Sequence, residues 1–230
     1  MIPLRWQFFQ QNFHGRDFVV GDIHGYFNVL DDLLNSLKFD GIVDRLFLSG
    51  DMIDRGPFSY MVLSWLDKPY VFALEGNHER MCQEYYSGQS WQASYSIHGG
   101  DWFINLPNYD KLRYIKAFEK LPSVFEIDIP NGKRIGIVHA EVPTDDWLEF
   151  KYKFDDYAED ALWSFIKFEQ FKNNKSIDRV IDNIDYVIHG HSSVPTLMQG
   201  GNVLYIDTGA LSKKLTILEI NNPNGIIAYH

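Results

Sequence analysis

Short apolar runs recur along this chain, and each stops at a polar loop containing glycine. Residues 17–21, 45–48 and 70–74 are the first three of these runs. Four to eight apolar residues bounded by turn signals have the size of a buried strand. Between them the pattern changes period. Phe27, Leu30, Leu33, Leu34 and Leu37 place one apolar face along 26–39, which predicts a helix. Residues 58–66 read as a second helix, with Pro57 in its first turn, where a missing N–H costs little. Strand, glycine loop and helix in repetition is the βαβ pattern. It predicts a parallel or mixed sheet whose ligands gather at the carboxyl ends of its strands.

The middle of the chain is less regular. Residues 87–108 are rich in Gly, Ser, Tyr and Trp, and 110–121 predict a helix stopped by Pro122. Two runs, 123–129 and 133–138, flank Pro130-Asn131-Gly132, a good hairpin turn. A helix is expected over 157–171 and a polar loop over 172–175. Strands return at 185–188 and 203–206, and 215–220 with 226–229 form a closing hairpin. No internal repeat or low-complexity tract interrupts the series. The expected fold is α/β in a layered α+β form: two mixed β-sheets packed as a sandwich flanked by helices, as one domain over 1–230.

Composition narrows the class. Of the 230 residues 45% are hydrophobic, enough for a substantial core. The formal charge of −10 comes without a basic stripe, which argues against a nucleic-acid partner. Cys82 is the only cysteine, so no disulfide forms within the chain, and a reducing compartment fits. No run of 18 apolar residues predicts a membrane span. The first 13 residues carry Arg5, Gln7, Gln10 and Gln11 and lack the apolar core of a signal peptide. A cytoplasmic location is the expectation.

The polar loops carry the chemistry. Gly21-Asp22-Ile23-His24-Gly25 follows the first strand, and the later strands end at Asp51, Asn77, His139 and His191. These are carboxylate, imidazole and amide groups without a thiolate, which disfavours structural zinc or an iron–sulfur cluster. Mixed oxygen and nitrogen donors suit manganese, iron or catalytic zinc. Six donors exceed what one catalytic ion with open positions takes. They suit two divalent ions sharing one carboxylate, an arrangement that stabilises both oxygens of an in-line phosphoryl displacement.

Three segments resemble the signatures of the PPP-type, calcineurin-like metallophosphatases: Gly21-Asp22-x-His24-Gly25, Gly50-Asp51-x-x-Asp54-Arg55-Gly56 and Gly76-Asn77-His78-Glu79. His139-Ala140-Glu141 and Gly190-His191-Ser192 fit the two later ligand positions. Small bacterial and bacteriophage serine/threonine protein phosphatases are the nearest in look, also through Gly99-Gly100-Asp101-Trp102-Phe103 and 205–209. The resemblance implies the metallophosphoesterase fold and two divalent metal ions, manganese first, with iron or zinc as alternatives. It implies that Asp22, His24 and Asp51 hold one ion, and that Asp51 bridges to a second held by Asn77, His139 and His191. A hydroxide between the ions would attack phosphorus directly. His78 would act as general acid for the leaving group, oriented by Asp54, while Arg55 grips phosphate oxygens. The implied substrate is a phosphorylated protein or a small phosphate ester.

Two departures from the resemblance stand out. The family commonly has a basic residue before Gly-Asn-His-Glu, where Glu75 stands, and another after the helical Trp, where Trp163 is followed by Ser164 and Phe165. Arg80, Lys167 and Arg179 are the sequence candidates to compensate. Dinucleoside polyphosphate hydrolases, such as those cleaving diadenosine tetraphosphate, share the metal motifs and are the alternative reading. A non-catalytic metal-holding module is the remote one, since His78, Asp54 and Arg55 are all present. His189 reads as structural or supporting, Asp207 as a turn brace, Glu79 as the acidic start of a helix, and Cys82 as buried. His98 reads as an ordinary loop histidine. The aromatic residues between Tyr85 and Trp102 read equally as core or as a substrate wall.

Overall fold

Every residue of Asp17–Val20 is buried, so both faces of this strand are covered. The computed structural model, which describes residues 5–173, 179–209 and 214–230, shows what covers it. The strands are β1 (Trp6–Phe9), β2 (Asp17–Val20), β3 (Arg45–Leu48), β4 (Val71–Ala73), β5 (Val124–Ile129), β6 (Lys133–Val138), β7 (Tyr186–His189), β8 (Met198–Gly200), β9 (Val203–Tyr205), β10 (Ile217–Glu219) and β11 (Ile227–Tyr229). One sheet has the order β11-β10-β2-β3-β4 and the other β1-β5-β6-β7-β9-β8. β2, β3 and β4 run parallel, as do β6, β7 and β9. The hairpin pairs β5–β6, β8–β9 and β10–β11 are antiparallel, so both sheets are mixed.

Strand alternation sorts the core into layers. Val19, Phe47, Phe125, Ile137, Ile188 and Leu218 fill the space between the sheets. Their neighbours point outward. Phe18, Val20, Leu46 and Leu48 meet α1 (Phe27–Ser36), α2 (Val62–Leu66), α3 (Asn77–Ser87), α4 (Asp101–Ile104) and α5 (Asn108–Phe118) through Leu30, Trp65, Met81, Phe103 and Phe118. Val124, Val138, Val187 and Val203 meet α6 (Trp147–Tyr152), α7 (Phe154–Trp163) and α8 (Ile166–Asn173) through Trp147, Phe150, Ala161 and Phe168. The sandwich flanked by helices is therefore the observed architecture.

Several elements differ from expectation. The predicted helix over 157–171 is two helices. After Trp163 the chain turns extended at Ser164 (ψ 144°), and α8 starts anew. The buried Glu141 carboxylate causes the break. It accepts from Ser164 Oγ (2.7 Å) and from the backbone N–H groups of Lys167 (3.1 Å) and Phe168 (2.7 Å), capping α8 from another element. α6 was not anticipated, although Asp146 accepts from Leu148 N at 2.8 Å as an ordinary N-cap. β1 gains its place by parallel pairing with β5, a partner far away in sequence. Residues 58–66 begin as a 3₁₀ turn before α2. Of the loop expected over 172–175, Lys172 and Asn173 close α8. Residues 174 and 175 lie outside the described residues.

Phe47 sits at the centre of the sandwich, fully buried, with ring centroids of Phe9 at 4.9 Å, Phe72 at 5.4 Å and Phe125 at 5.7 Å. Phe47→Ala is expected to cost about 3–5 kcal/mol, read as a lower urea midpoint with an unchanged slope. A loss below about 1 kcal/mol would mean that the layers can close over the missing ring.

Candidate active site

The parallel strands of both sheets deliver their carboxyl ends to one place. Asp22 and His24 follow β2, Asp51, Asp54 and Arg55 follow β3, and Asn77 and His78 open α3 after β4. His139 follows β6 and His191 follows β7. The two sheets are stitched here: His139 Nδ1 lies 2.9 Å from Ser49 O, and His191 N donates to both Asp22 oxygens at 3.0 Å. Glycine permits the close approach. A Cβ on Gly190 would stand 2.2 Å from Asp22 Oδ1, and one on Gly76 2.2 Å from Asp51 N.

The backbone is strained where these side chains are aimed. His24, Asp51, Asp54, Arg55 and His191 have φ of 44°, 48°, 69°, 63° and 58°. Each such non-glycine conformation costs on the order of 1–3 kcal/mol and persists only when its surroundings enforce it. Here hydrogen bonds enforce it. Ile23 N and His24 N both donate to Asp51 O (3.1 and 2.9 Å), and Gly25 N donates to Met52 O (2.8 Å). The buried Glu79 carboxylate accepts from Asp51 N, Met52 N and Gly76 N, each at 2.9 Å. Glu79 thus starts α3 as expected and also ties two loops together. Burial and the Asp51 charge push its pKa well above the usual carboxylate range.

The donor atoms face one another. The Ile53 carbonyl, 2.9 Å from His24 Nδ1, can only accept, so Nδ1 carries the proton and Nε2 presents a lone pair. That Nε2 stands 3.7 Å from Asp51 Oδ2 and 4.0 Å from Asp22 Oδ2. His139 is set the same way by Ser49 O, and its Nε2 lies 3.4 Å from Asp51 Oδ1. Asn77 points its amide between His139 Nε2 (2.9 Å) and His191 Nδ1 (3.0 Å). With its nitrogen inward the amide donates to this cluster; with its oxygen inward it adds one more acceptor, as a cation requires.

Burial holds the imidazoles of His24 and His191 down to about 3, so both rings are neutral near pH 7. Burial and the neighbouring carboxylates of Asp207 and Asp51 raise Asp22. Burial works against charge on Asp51 too; positive charge at the surrounding histidines, His78 and His139 foremost, is what lowers that carboxyl. Buried lone pairs and carboxylates packed this closely repel unless positive charge lies among them. Among the described residues two trios bring ligand atoms within 4.8 Å of one another, His24–Asp51–His78 and Asp51–His139–His191, with Asp51 in both. The donor set and its shared carboxylate therefore fit divalent cations.

The first trio contains His78 and not Asp22, although the sequence pattern set His78 apart from the metal-type donors. Its Nδ1 contacts Asp54 Oδ2 at 2.7 Å, and its Nε2 lies 3.1 Å from Arg55 Nη2. Arg55 Nη1 also donates toward His24 Nε2 at 2.8 Å, bringing a positive charge to the acceptors. Asp54 is fully buried, and its other oxygen accepts from Tyr95 OH (3.0 Å) and Trp102 Nε1 (2.7 Å). The aromatic stretch therefore divides: Tyr95 and Trp102 hold Asp54, whereas Trp91 lines the opening. A cavity of about 430 Å³ lies over the site, walled by Arg55, His78, Trp91, Trp163 and Phe165 among others. His98 lines it as well, 6.4 Å from the His78 ring, which its sequence context did not signal.

The family model described as calcineurin-like phosphoesterase matches residues 18–195, which include Asp22, His24, Asp51, Asp54, Arg55, Asn77, His78, His139 and His191. The chain belongs to that family. It is 35% identical to serine/threonine-protein phosphatase 2 of Escherichia coli (strain K12) over 217 residues, 91% of this chain and 94% of that protein. A shorter match, 33% over 131 residues, reaches the symmetrical bis(5'-nucleosyl)-tetraphosphatase of Pseudomonas putida (strain W619) and covers 55% of this chain and 42% of that one. In fold, a protein serine/threonine phosphatase from Saccharomyces cerevisiae with similarity to human phosphatase PP5 superimposes with a TM-score of 0.62 at 17% identity, covering 99% and 83% of the two chains.

This phosphoesterase is thus a metal-dependent phosphatase acting on phosphate esters. Among its described residues no helix is long and apolar enough to cross a membrane. Its remaining polar residues take quieter places. His189 is fully buried, held at about 3 by burial, and its Nδ1 contacts Val138 O at 3.0 Å. Asp207 accepts from Ser193 Oγ at 2.7 Å, and Cys82 is buried. Phe165 is exposed on one side and stacks on the His191 ring with centroids 4.0 Å apart.

Glu79→Ala would leave three buried N–H groups without their acceptor. It is expected to cost about 3 kcal/mol or more, clearly more than Glu79→Gln, which keeps one acceptor oxygen. Chemical denaturation of both variants reads this; equal losses would show that the carboxylate does not tie the loops.

Proposed function

We propose that this phosphatase removes phosphate from phosphoserine and phosphothreonine proteins, or from other phosphomonoesters, using two divalent ions, manganese first. The reading places Asp22, His24 and Asp51 on one ion and Asp51, Asn77, His139 and His191 on the other. When bound, the ions offset the charge on phosphate and activate a water for attack on phosphorus. The chain's own residues do the rest. Asp51 is the shared carboxylate, and the carbonyls of Ile53 and Ser49 fix the ring tautomers of His24 and His139.

The observation that carries the reading is the His78–Asp54 pair. A serine alkoxide leaves poorly unless it is protonated as the bond breaks. Asp54, immobilised by Tyr95 and Trp102, holds the His78 Nδ1 proton and leaves Nε2 turned to the cavity beside Arg55. As general acid the ring would carry a second proton on Nε2 and pass it to the departing oxygen, keeping its Nδ1 proton on Asp54, while the planar Arg55 fork would turn to bind phosphate oxygens. A passive metal-holding module has no need of such a triad. The near full-length sequence likeness to a serine/threonine-protein phosphatase supports the protein substrate, whereas the sequence likeness to a tetraphosphatase spans about half the chain. One domain over 1–230 and a cytoplasmic location complete the proposal.

Phosphoserine and phosphothreonine peptides should be hydrolysed with added manganese, and a chelator should stop the reaction. Diadenosine tetraphosphate should be cleaved more slowly; a reversed order would make the dinucleotide the substrate, and no turnover with any divalent ion would leave only the binding module.

His78→Asn should lower kcat by about 10²–10⁴-fold on esters with poor leaving groups, with metal content unchanged by elemental analysis. Loss of metal in that variant would make His78 a ligand and remove it as the acid.

A further inference from the structure

A phosphate dianion is held best by several charge-assisted donors, and this chain lacks basic residues at Glu75 and Phe165. Among the described residues the structure narrows which cation can take their part. Arg80 does not: its Nε and Nη2 close bidentately on Glu75 at 2.9 and 2.8 Å, and Gln83 adds a third bond to that carboxylate. Glu75 and Arg80 line a separate cavity of about 120 Å³. Arg179 does not: its guanidinium is turned inward to the carbonyls of Val142 and Thr144 and to Asp145. Lys167 does not line the site cavity.

Lys172 does. On the last turn of α8, it lines the 430 Å³ cavity, where Arg55 and Lys172 are the arginine and lysine side chains among the described lining residues. Its stem runs back along the helix, with Nζ 5.9 Å from the Phe168 ring. Among the described residues it pairs with Glu169 Oε1 at 3.8 Å, a long and exposed contact that yields easily to a stronger anion.

We propose that Lys172 is the second phosphate-binding cation of this site, working with Arg55 in place of the family's missing basic residues. The proposal rests on the reading of phosphomonoester hydrolysis at this cavity. An ammonium on a flexible stem attracts phosphate without fixing its orientation. Lys172 therefore serves binding more than the chemical step.

The test uses the full-length, manganese-loaded protein and Lys172→Ala, Lys172→Arg and Lys172→Glu. Inorganic phosphate is the probe, followed as a competitive inhibitor and by quenching of the Trp91 and Trp163 fluorescence, since both rings line the cavity. Lys172→Ala should weaken phosphate and raise KM by roughly tenfold, with kcat nearly constant. Lys172→Glu should weaken them further, and Lys172→Arg should restore them. Unchanged phosphate affinity in Lys172→Glu, or no phosphate-dependent signal in the parent protein, overturns the proposal. A parent protein that binds phosphate but turns over no ester would sink the functional reading instead, and the fluorescence titration would still judge Lys172.

Discussion

Buried acceptors that face one another govern this structure. Asp22, His24, Asp51, Asn77, His139 and His191 bring carboxylate oxygens, ring nitrogens and an amide within a few ångströms, all out of water. Desolvating such groups without positive charge is costly. Nearly every unusual feature nearby serves to enforce that crowding. The left-handed backbone at His24, Asp51 and His191 aims the donors inward. Glycine at 76 and 190 removes the side chains that would block the approach. The Glu79 carboxylate holds the Asp51 and Gly76 loops against their tendency to separate.

The cluster also stands apart from the walls of the cavity above it. The metal-type donors stand on strand ends, where two packed sheets fix the backbone, and a rigid scaffold positions ligands more finely than a loop can. The walls of the cavity come from elsewhere: Trp91 from the irregular stretch after α3, Trp163 and Phe165 from the junction of α7 and α8, Lys172 from the end of α8. Variation at Glu75 and Phe165 falls in this outer group. The charge at Glu75 is neutralised locally by Arg80 and does not line the cavity.

Much of this was legible in the chain. Runs of four apolar residues ending at Gly-Asp or Gly-Asn announce buried strands whose loops carry ligands, and the sheet sandwich follows from their number and spacing. Less legible were elements made by distant partners. β1 has no alternation of its own and exists because β5 offers a parallel edge. The helix expected across 157–171 breaks because Glu141, more than twenty residues earlier, caps its second half. No local propensity encodes a carboxylate arriving from another layer.

The sequence by itself determined the identity and order of the metal-type donors, because a covalent motif brings Asp22 near His24, and Asn77 near His78, whatever the rest of the chain does. Tertiary structure alone decided which groups turn toward the cavity. Tyr95 and Trp102 became the supports of Asp54, Arg80 was drawn to Glu75, Arg179 was turned inward, and Lys172 was left at the opening. A charged side chain's role depends on the nearest opposite charge and on its access to water. Both are set when separate segments pack, and neither is written in the spacing of residues along the chain.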